Sequence, residues 1–369
     1  MLWLISLILL PLAALGYIGW HLWVLLPCTA VWKTLVLTAG LACFLSLFLD
    51  FTGRLDALPM PLARCLYAVG TSSLIVILYM VLTFVVLDLG RLLHLVPGSW
   101  LVSNWLATGV LGLLMFGLLL YGNLHYRHKV RVPLELTTSK PLPHAYRLVM
   151  ASDLHLGYHN PRRELARWVD MINAEQPDLV LIAGDIIDVS VRPLIEEDMA
   201  AEFRRLQAPV YACLGNHEYY SGNARAQQFY RDAGLHLLTD SATVVDSALM
   251  IIGRDDRTNP RRKRLADILS QSPSLQAKDS VYTIVLDHQP YHLEEAERQG
   301  VDFQLSGHTH RGQVWPISWF TDRMYECSWG SHRRGRTAYY VSSGLGIWGG
   351  KFRIGTQSEY VVMRLEVAD

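Results

Sequence analysis

Residues 1–32 contain no Asp, Glu, Lys or Arg, and comparable uncharged runs follow at 34–49, 65–87 and 92–126. An apolar helix of about 20 residues matches the hydrocarbon core of a bilayer, so the pattern predicts four transmembrane helices within residues 1–126. A cleaved signal peptide ahead of a very apolar soluble domain is the alternative. Such a peptide has a basic start and one short apolar stretch, whereas the pattern here recurs four times. The 34–49 run is short, and Lys33 can extend it toward Ala30 by snorkelling its ammonium to the interface. Pro11 predicts a kink in the first helix. Trp20, Trp23, Trp32, Trp100 and Trp105 fall toward span ends, where an aromatic belt puts them.

Four crossings return the chain to its starting side, so the 60–64 connection and the large C-terminal region share one compartment. That side carries Arg54, Arg64, Arg127, Lys129 and Arg131, against Lys33 and Arg91 on the other. The positive-inside rule then predicts an integral, multi-pass protein of the cell membrane with its C-terminal domain in the cytoplasm. Cysteine usage agrees: Cys28, Cys43 and Cys65 fall in the membrane region, leaving Cys213 and Cys327, so no disulfide framework is indicated. With 33 basic and 33 acidic residues, a general affinity for nucleic acid finds no support.

Residues 127–143 are polar, basic and proline-containing, and read as a linker to a domain spanning 144–369. In that domain β-type runs at 147–151, 179–183, 210–214, 244–252, 281–286, 301–305, 338–341 and 360–365 alternate with helical patterns. The helical patterns cover 162–175, 193–207, 224–233, 264–270 and 291–299. Early β-α-β alternation followed by strand-rich sequence predicts an α/β fold of two mixed sheets flanked by helices, a four-layer αββα sandwich.

Five short segments carry the chemistry: Asp153-Leu154-His155, Gly184-Asp185-Ile186-Ile187-Asp188, Gly215-Asn216-His217-Glu218, Asp287-His288 and Gly307-His308-Thr309-His310. Each alone is ordinary loop sequence. Together they offer the carboxylates, amide and imidazoles that a two-metal hydrolytic centre needs, at the ends of predicted strands. Asp153 and His155 are expected in an extended segment, where positions i and i+2 point to one side. Glycine before Asp185 lets the backbone turn sharply and bring a bridging carboxylate in close. Asp188 is expected to orient His217, and an imidazole backed by Asp is a suitable proton donor to a leaving oxygen. Asn216 can supply a neutral oxygen. Glu218 is read as structural, a partner behind the site or a contributor to the next helix start. His159, His236, His292 and His332 lack such framing.

The ordered set clearly resembles the calcineurin-like metallophosphoesterase superfamily over residues 144–369, and its Ser152-Asp153-Leu154-His155-Leu156-Gly157 start and Gly307-His308-Thr309-His310-Arg311-Gly312-Gln313 finish look like the branch that includes bacterial membrane-attached phosphodiesterases. The resemblance implies one divalent metal on Asp153, His155, Asp185 and His310 and a second on Asp185, Asn216, His288 and His308. It also implies a metal-bridging hydroxide as nucleophile, with His217 at the leaving oxygen and Asp188 behind it. Manganese is the preferred metal, with zinc or iron as alternatives, since ligand type does not fix identity.

The resulting expectation is a membrane-anchored hydrolase of phosphodiester or pyrophosphate bonds, acting on a lipid-linked phosphoester at the bilayer. A tethered hydrolase of soluble phosphoesters is the alternative. A non-catalytic scaffold or transporter with a regulatory phosphoesterase-like domain is a third reading, opposed by the complete ligand set and by the sparse polar residues of the spans. Trp315, Trp319, Phe320 and Trp329 are read either as an apolar rim or as core. The runs Arg261-Arg262-Lys263-Arg264 and Arg333-Arg334-Gly335-Arg336 are read as solvated faces that near a membrane can bind headgroups or substrate phosphate. Oligomeric state leaves no mark in the sequence.

Overall fold

The computed structural model describes residues 2–271 and 280–368, with side chains from residue 10 onward. The chain divides into two compact units, Met1–Leu124 with Gly349–Phe352, and His125–Trp348 with Arg353–Asp369.

The first unit holds α1 (Leu2–Leu25), α2 (Ala30–Leu45), α3 (Leu47–Phe51), α4 (Met60–Leu92) and most of α5 (Trp105–Arg127). Three stretches, Ala30–Phe51, Met60–Leu92 and Trp105–Arg127, are long and apolar enough to cross a bilayer, and Leu10–Leu25 is a shorter apolar helix. Their outer surfaces are apolar: Trp105 is 73% exposed and Leu113 70%. Contiguous exposed apolar surface of this extent is stable against lipid and not against water. Asp88, near the end of α4, is met by the Tyr17 hydroxyl at 2.7 Å and His21 Nε2 at 3.0 Å, so its charge has partners within the helical unit.

The second unit carries twelve strands: β1 (Lys129–Thr138), β2 (Tyr146–Ala151), β3 (Leu179–Ala183), β4 (Val210–Cys213), β5 (His236–Leu237), β6 (Ser241–Val245), β7 (Leu249–Gly253), β8 (Tyr282–Leu286), β9 (Phe303–Ser306), β10 (Gly330–Arg334), β11 (Thr337–Val341) and β12 (Ser358–Val367). One sheet has the order β1-β12-β2-β3-β4-β5, the other β10-β11-β9-β8-β7-β6. Its helices are α6 (Arg162–Ala174), α7 (Arg192–Glu196), α8 (Met199–Phe203), α9 (Asn216–Tyr220), α10 (Asn223–Asp232), α11 (Leu265–Gln271), α12 (Glu294–Arg298) and α13 (Ile317–Met324).

Period-two alternation builds the layers. Leu148 and Met150 of β2 pack with Leu249 and Ile251 of β7 and with Ile284 of β8 in a core between the sheets. Their neighbours Val149 and Ala151 face the opposite way, onto Leu165, Trp168, Val169 and Ile172 of α6, a helical 3-4 stripe, and onto Phe229 of α10. On the far side, Met250 and Ile252 of β7 meet Leu265, Ile268 and Leu269 of α11 and Ala296 of α12. The result is the expected α/β/β/α stack.

Three local expectations differ, and two strands had none. Residues 129–138, inside the stretch read as a linker, form edge strand β1, pairing parallel with β12. Val132, Leu134 and Leu136 alternate onto the inter-sheet core, and Pro133 is tolerated because the edge needs no donor there. The 244–252 run is a hairpin rather than one strand: Asp246 and Ser247 both have left-handed backbones (φ 51° and 55°) and Ala248 N–H bonds Val245 O, a type I′ turn. The 193–207 helix breaks into α7 and α8 at Asp198, φ 48°. Strands β5 and β10 are short and polar, and their sequence gave no periodic signal.

Parallel strands β2, β3 and β4 of one sheet and β8 and β9 of the other run into the loops that bear the five motifs. Ligand sites form beyond the carboxyl ends of parallel strands.

Candidate metal centre

Asp153 and His155 follow β2, Asp185 and Asp188 follow β3, and Asn216, His217 and Glu218 open α9 just after β4. From the other sheet, His288 follows β8, and His308 and His310 follow β9. All seven side chains singled out as ligands, together with His217 and Asp188, converge. Asp153, His155 and His310 have ligand atoms within 4.8 Å of one another, and so do Asp185, His288 and His308. His155 Nε2 stands 3.0 Å from His310 Nε2 and 3.7 Å from Asp185 Oδ2. The same Asp185 Oδ2 lies 3.0 Å from His288 Nε2, which is 3.2 Å from Asn216 Oδ1. Asn216 Oδ1 is in turn 2.8 Å from His308 Nδ1. Asp185 therefore stands between two constellations.

The backbone that achieves this is not extended. Asp153, His155, Asp185, His308 and His310 all adopt left-handed φ, between 44° and 69°. The i and i+2 spacing converges through tight left-handed turns, which cost non-glycine residues energy and persist where surroundings enforce them. Gly184 itself has φ 77°, and a Cβ there would come within 2.8 Å of His288 Nδ1. A Cβ on Gly215 would overlap the Asp185 carboxylate, so both glycines are required by close approach.

Buried partners hold the cluster from behind. His288 Nδ1 lies 2.7 Å from Ala183 O, which turns Nε2 toward Asp185. The Glu218 carboxylate accepts the backbone N–H groups of Gly215 at 2.7 Å, Ile187 at 3.0 Å and Asp185 at 3.1 Å, stapling two motif loops together. The structural reading of Glu218 matches this geometry. Asp188 Oδ1 is shared, 3.3 Å from His155 Nδ1 and 3.4 Å from His217 Nδ1, so it faces two imidazoles rather than His217 alone.

Two residues without any motif also act here. Asn160, fully buried, donates to the carbonyls of Leu154 at 3.0 Å and His155 at 2.9 Å. Arg353, likewise buried, donates to His310 O at 2.7 Å and to Ser343 O. A lone Asn in a loop and a lone Arg near the C-terminus carry no spacing signal, so sequence alone could not have found them. His236, His292 and His332 stand apart from the cluster, against Tyr211, Glu294 and Glu326 respectively. Trp319 and Phe320 are exposed and Trp315 partly so, whereas Trp329 is turned inward, its indole N–H on Glu359.

Charge and protonation suit cations. Asp153, Asp185, Asp188 and Glu218 are all at most 1% exposed, an arrangement too costly to leave uncompensated. Divalent ions held here would supply positive charge to balance these carboxylates. Burial opposes ionisation of Asp185, yet His288 and His217 hold it well below the usual carboxylate range, and burial is likewise outweighed at Asp188 by His155 and His217, which bring it to about 2. His308 is pushed down to about 4 by burial and by the charge of His288, and His310 well below its ordinary value by burial and His155. Neutral imidazole is the form that ligates a metal, which His308 and His310 already favour, whereas His288, which burial would lower but Asp185 raises well above its ordinary value, must give up its proton to a bound ion. His217 differs: burial would lower it, but Asp185 and Asp188 raise it to about 9, so it keeps a proton at neutral pH.

A family model described as calcineurin-like phosphoesterase matches residues 146–312. An uncharacterised metallophosphoesterase of Aquifex aeolicus is 31% identical over 228 residues, 60% of this chain and 85% of that protein. One from Campylobacter jejuni is 30% identical over 223 residues, 60% of this chain and 59% of its own length. A Danio rerio transmembrane protein with metallophosphoesterase domain is 29% identical over 233 residues, covering 60% of this chain and 53% of that one. The matched region thus spans less than two-thirds of the Campylobacter and Danio relatives. Among solved structures, a dimetal phosphatase from Danio rerio overlaps with a TM-score of 0.34 at 14% identity, covering 54% of this chain and 87% of that one.

Proposed function

This chain belongs to the calcineurin-like metallophosphoesterase family, and we propose that it is a membrane-anchored phosphoesterase that hydrolyses phosphodiester or pyrophosphate bonds of a lipid-linked substrate. The observation that carries the hydrolytic reading is the pair of ligand constellations meeting at Asp185. Asp153, His155, Asp185 and His310 would hold one divalent ion, and Asp185, Asn216, His288 and His308 the other. Imidazoles mixed with hard oxygens suit manganese, with zinc and iron as alternatives. When bound, such ions supply Lewis acidity, lowering the pKa of water and neutralising phosphoryl oxygens.

The chain's own groups then supply orientation and a proton. His217, backed by Asp188, is placed to donate a proton to the leaving oxygen as the ester bond breaks. Asp188 holds the ring by Nδ1, leaving Nε2 for that transfer. Glu218 and Asn160 keep the motif loops in place while the charge on the phosphoryl group changes.

Apolar helices keep the enzyme at the bilayer, and the exposed rings of Trp319 and Phe320 offer an acyl chain an apolar surface, which supports a lipid-linked substrate. The cytoplasmic orientation rests on the excess of Arg54, Arg64, Arg127, Lys129 and Arg131 over Lys33 and Arg91. Full-length protein in detergent should hydrolyse a lipid phosphodiester with added manganese faster than a soluble nucleotide, and lose that activity in Asp185→Asn and in His217→Ala. Activity that survives both substitutions would overturn the assignment, and a faster soluble nucleotide would overturn the lipid part alone. A reporter fused after Asp369 that acts outside the inner compartment would reverse the topology.

A further inference from the structure

The run Arg261-Arg262-Lys263-Arg264, unused by the hydrolytic reading, borders a cavity of about 270 Å³. Arg254, Arg257, Arg262, Lys263 and Arg264 line it with His292, and Glu295 is its one lining carboxylate. A solvated basic face spreads its side chains outward. Here two of the guanidinium groups are held by the buried Asp287, one of them also by Glu295 at the cavity wall. Arg254 Nη1 lies 3.1 Å from Asp287 and 2.5 Å from Glu295, and Arg262 Nη2 lies 2.7 Å from Asp287. Asp287 is buried and Arg254 nearly so.

Those acids are consumed by Arg254 and Arg262. Arg264 pairs with Asp267 on α11 at 2.9 Å. Arg257 and Lys263 have no carboxylate partner among the described residues: Arg257 lies over the Tyr291 ring at 5.0 Å, and Lys263 reaches only the amide oxygen of Gln271. Like charges gathered around one concavity repel, and a resident anion relieves that repulsion. Guanidinium forks match phosphate oxygens in pairs, whereas an ammonium adds a point charge. The volume is below that of pockets for drug-sized molecules, which suits a single phosphoryl group rather than a whole ligand.

The cavity adjoins the metal cluster without being part of it. Asp287 immediately precedes His288, and Tyr291, beneath Arg257, bonds Tyr325, whose ring lies 6.4 Å from that of His308. We propose that this cavity is an anion site that takes a phosphoryl group other than the one at the metal cluster. The proposal stands whether or not the cluster hydrolyses phosphoesters, because metal-free protein should show it. Stripped of cations, the cluster is rich in carboxylates and rejects anions, so phosphate bound by chelated protein reports on the cavity.

Equilibrium dialysis of labelled inorganic phosphate against chelator-treated full-length protein at low salt should give saturable binding of one ion per chain. The double substitution Arg257→Gln, Lys263→Gln, at two exposed positions, should weaken it tenfold or more. Phosphatidic acid in mixed micelles, with phosphatidylcholine as control, distinguishes the source: displacement of phosphate by the former alone identifies a lipid headgroup, and displacement by neither identifies a soluble or substrate-borne phosphate. An unchanged melting temperature of the chelated variant shows that it is folded, whether or not hydrolysis of bis(p-nitrophenyl) phosphate with manganese is seen. Wild type that binds no phosphate, or a variant that binds it equally well, overturns the proposal. Absence of hydrolysis alongside intact phosphate binding would count only against the enzymatic reading.

Discussion

Replacing Arg353 by methionine should separate folding stability from metal affinity. The guanidinium is fully buried and bonds the carbonyls of His310 and Ser343, with Gly346 O at 3.4 Å and Ser358 Oγ at 3.2 Å. Burial outweighs the nearby Glu359 and Asp153 carboxylates and pulls Arg353 from its ordinary value down to about 10. Because the depressed group is a base, the cost of keeping it charged is fully present below pH 10 and is relieved only above it. At about 1.4 kcal/mol per pH unit, that cost is on the order of 3 kcal/mol at neutral pH. Methionine, of similar length, removes the cost but leaves two or more carbonyls unsatisfied at about 1–3 kcal/mol each. These terms oppose one another, and net destabilisation should stay below about 3 kcal/mol.

The metal cluster enjoys no such cancellation. His310 sits at φ 47° with its carbonyl held by Arg353, and Gly344, packed against His310 and Asp153, is carried on the loop that Arg353 fastens through Ser343. Releasing that tie lets the strained turn relax, and loss of such outer partners typically weakens metal binding about 10–100-fold. Thermal melts of chelated protein in detergent measure the first effect and chelator competition for manganese the second. An unchanged manganese affinity, or a chelated variant that fails to fold, would refute the reasoning.

Chelated protein should be most stable near pH 6.5 and lose stability on both sides. His217, raised to about 9, contributes stability that is complete below 6.5 and lost as pH climbs to 9, about 3 kcal/mol at most. His308, lowered to about 4, acts oppositely, losing its contribution as pH falls from 6.5 to 4. Melting temperature measured across that range checks the peak, and a steady rise to pH 9 would count against it. Asp188→Asn should reduce kcat about 100-fold with little change in KM and move the alkaline limb of the kcat profile toward neutrality, because His217 loses a charge that keeps it protonated. Glu218→Gln leaves at least one of three backbone N–H groups without its carboxylate oxygen and should destabilise the protein by about 2 kcal/mol, read from denaturant unfolding.

Features that repeat along the chain were legible in the sequence, and features that depend on distant contacts were not. Uncharged runs marked the apolar helices because lipid tolerates no other composition over about 20 residues. Strands β2, β3 and β8 were legible as short apolar runs, buried between layers but for Arg147 of β2. Strand β1 was hidden because Arg131, Pro133 and Glu135 occupy its exposed positions, and only pairing with β12, more than two hundred residues away, makes it a strand. The clustered carboxylate, amide and imidazole residues were recognisable by type and order, yet their left-handed backbones were not: spacing says which side chains can meet, while packing decides by which turn. Asn160 and Arg353 work by satisfying carbonyls, a role that leaves no pattern.

Asp153, His155, Asp185 and Asn216 come from loops of one sheet, and His288, His308 and His310 from loops of the other. On the proposed ligand assignment neither half alone offers a complete set, so an ion would be captured only once the two sheets have stacked. A bound ion would then be a rivet across the layers, stabilising only chains whose halves have met in register, by an amount that grows with the logarithm of free metal over its dissociation constant. Metal supply in the compartment where the domain folds would thereby set the abundance of the finished protein as well as its activity.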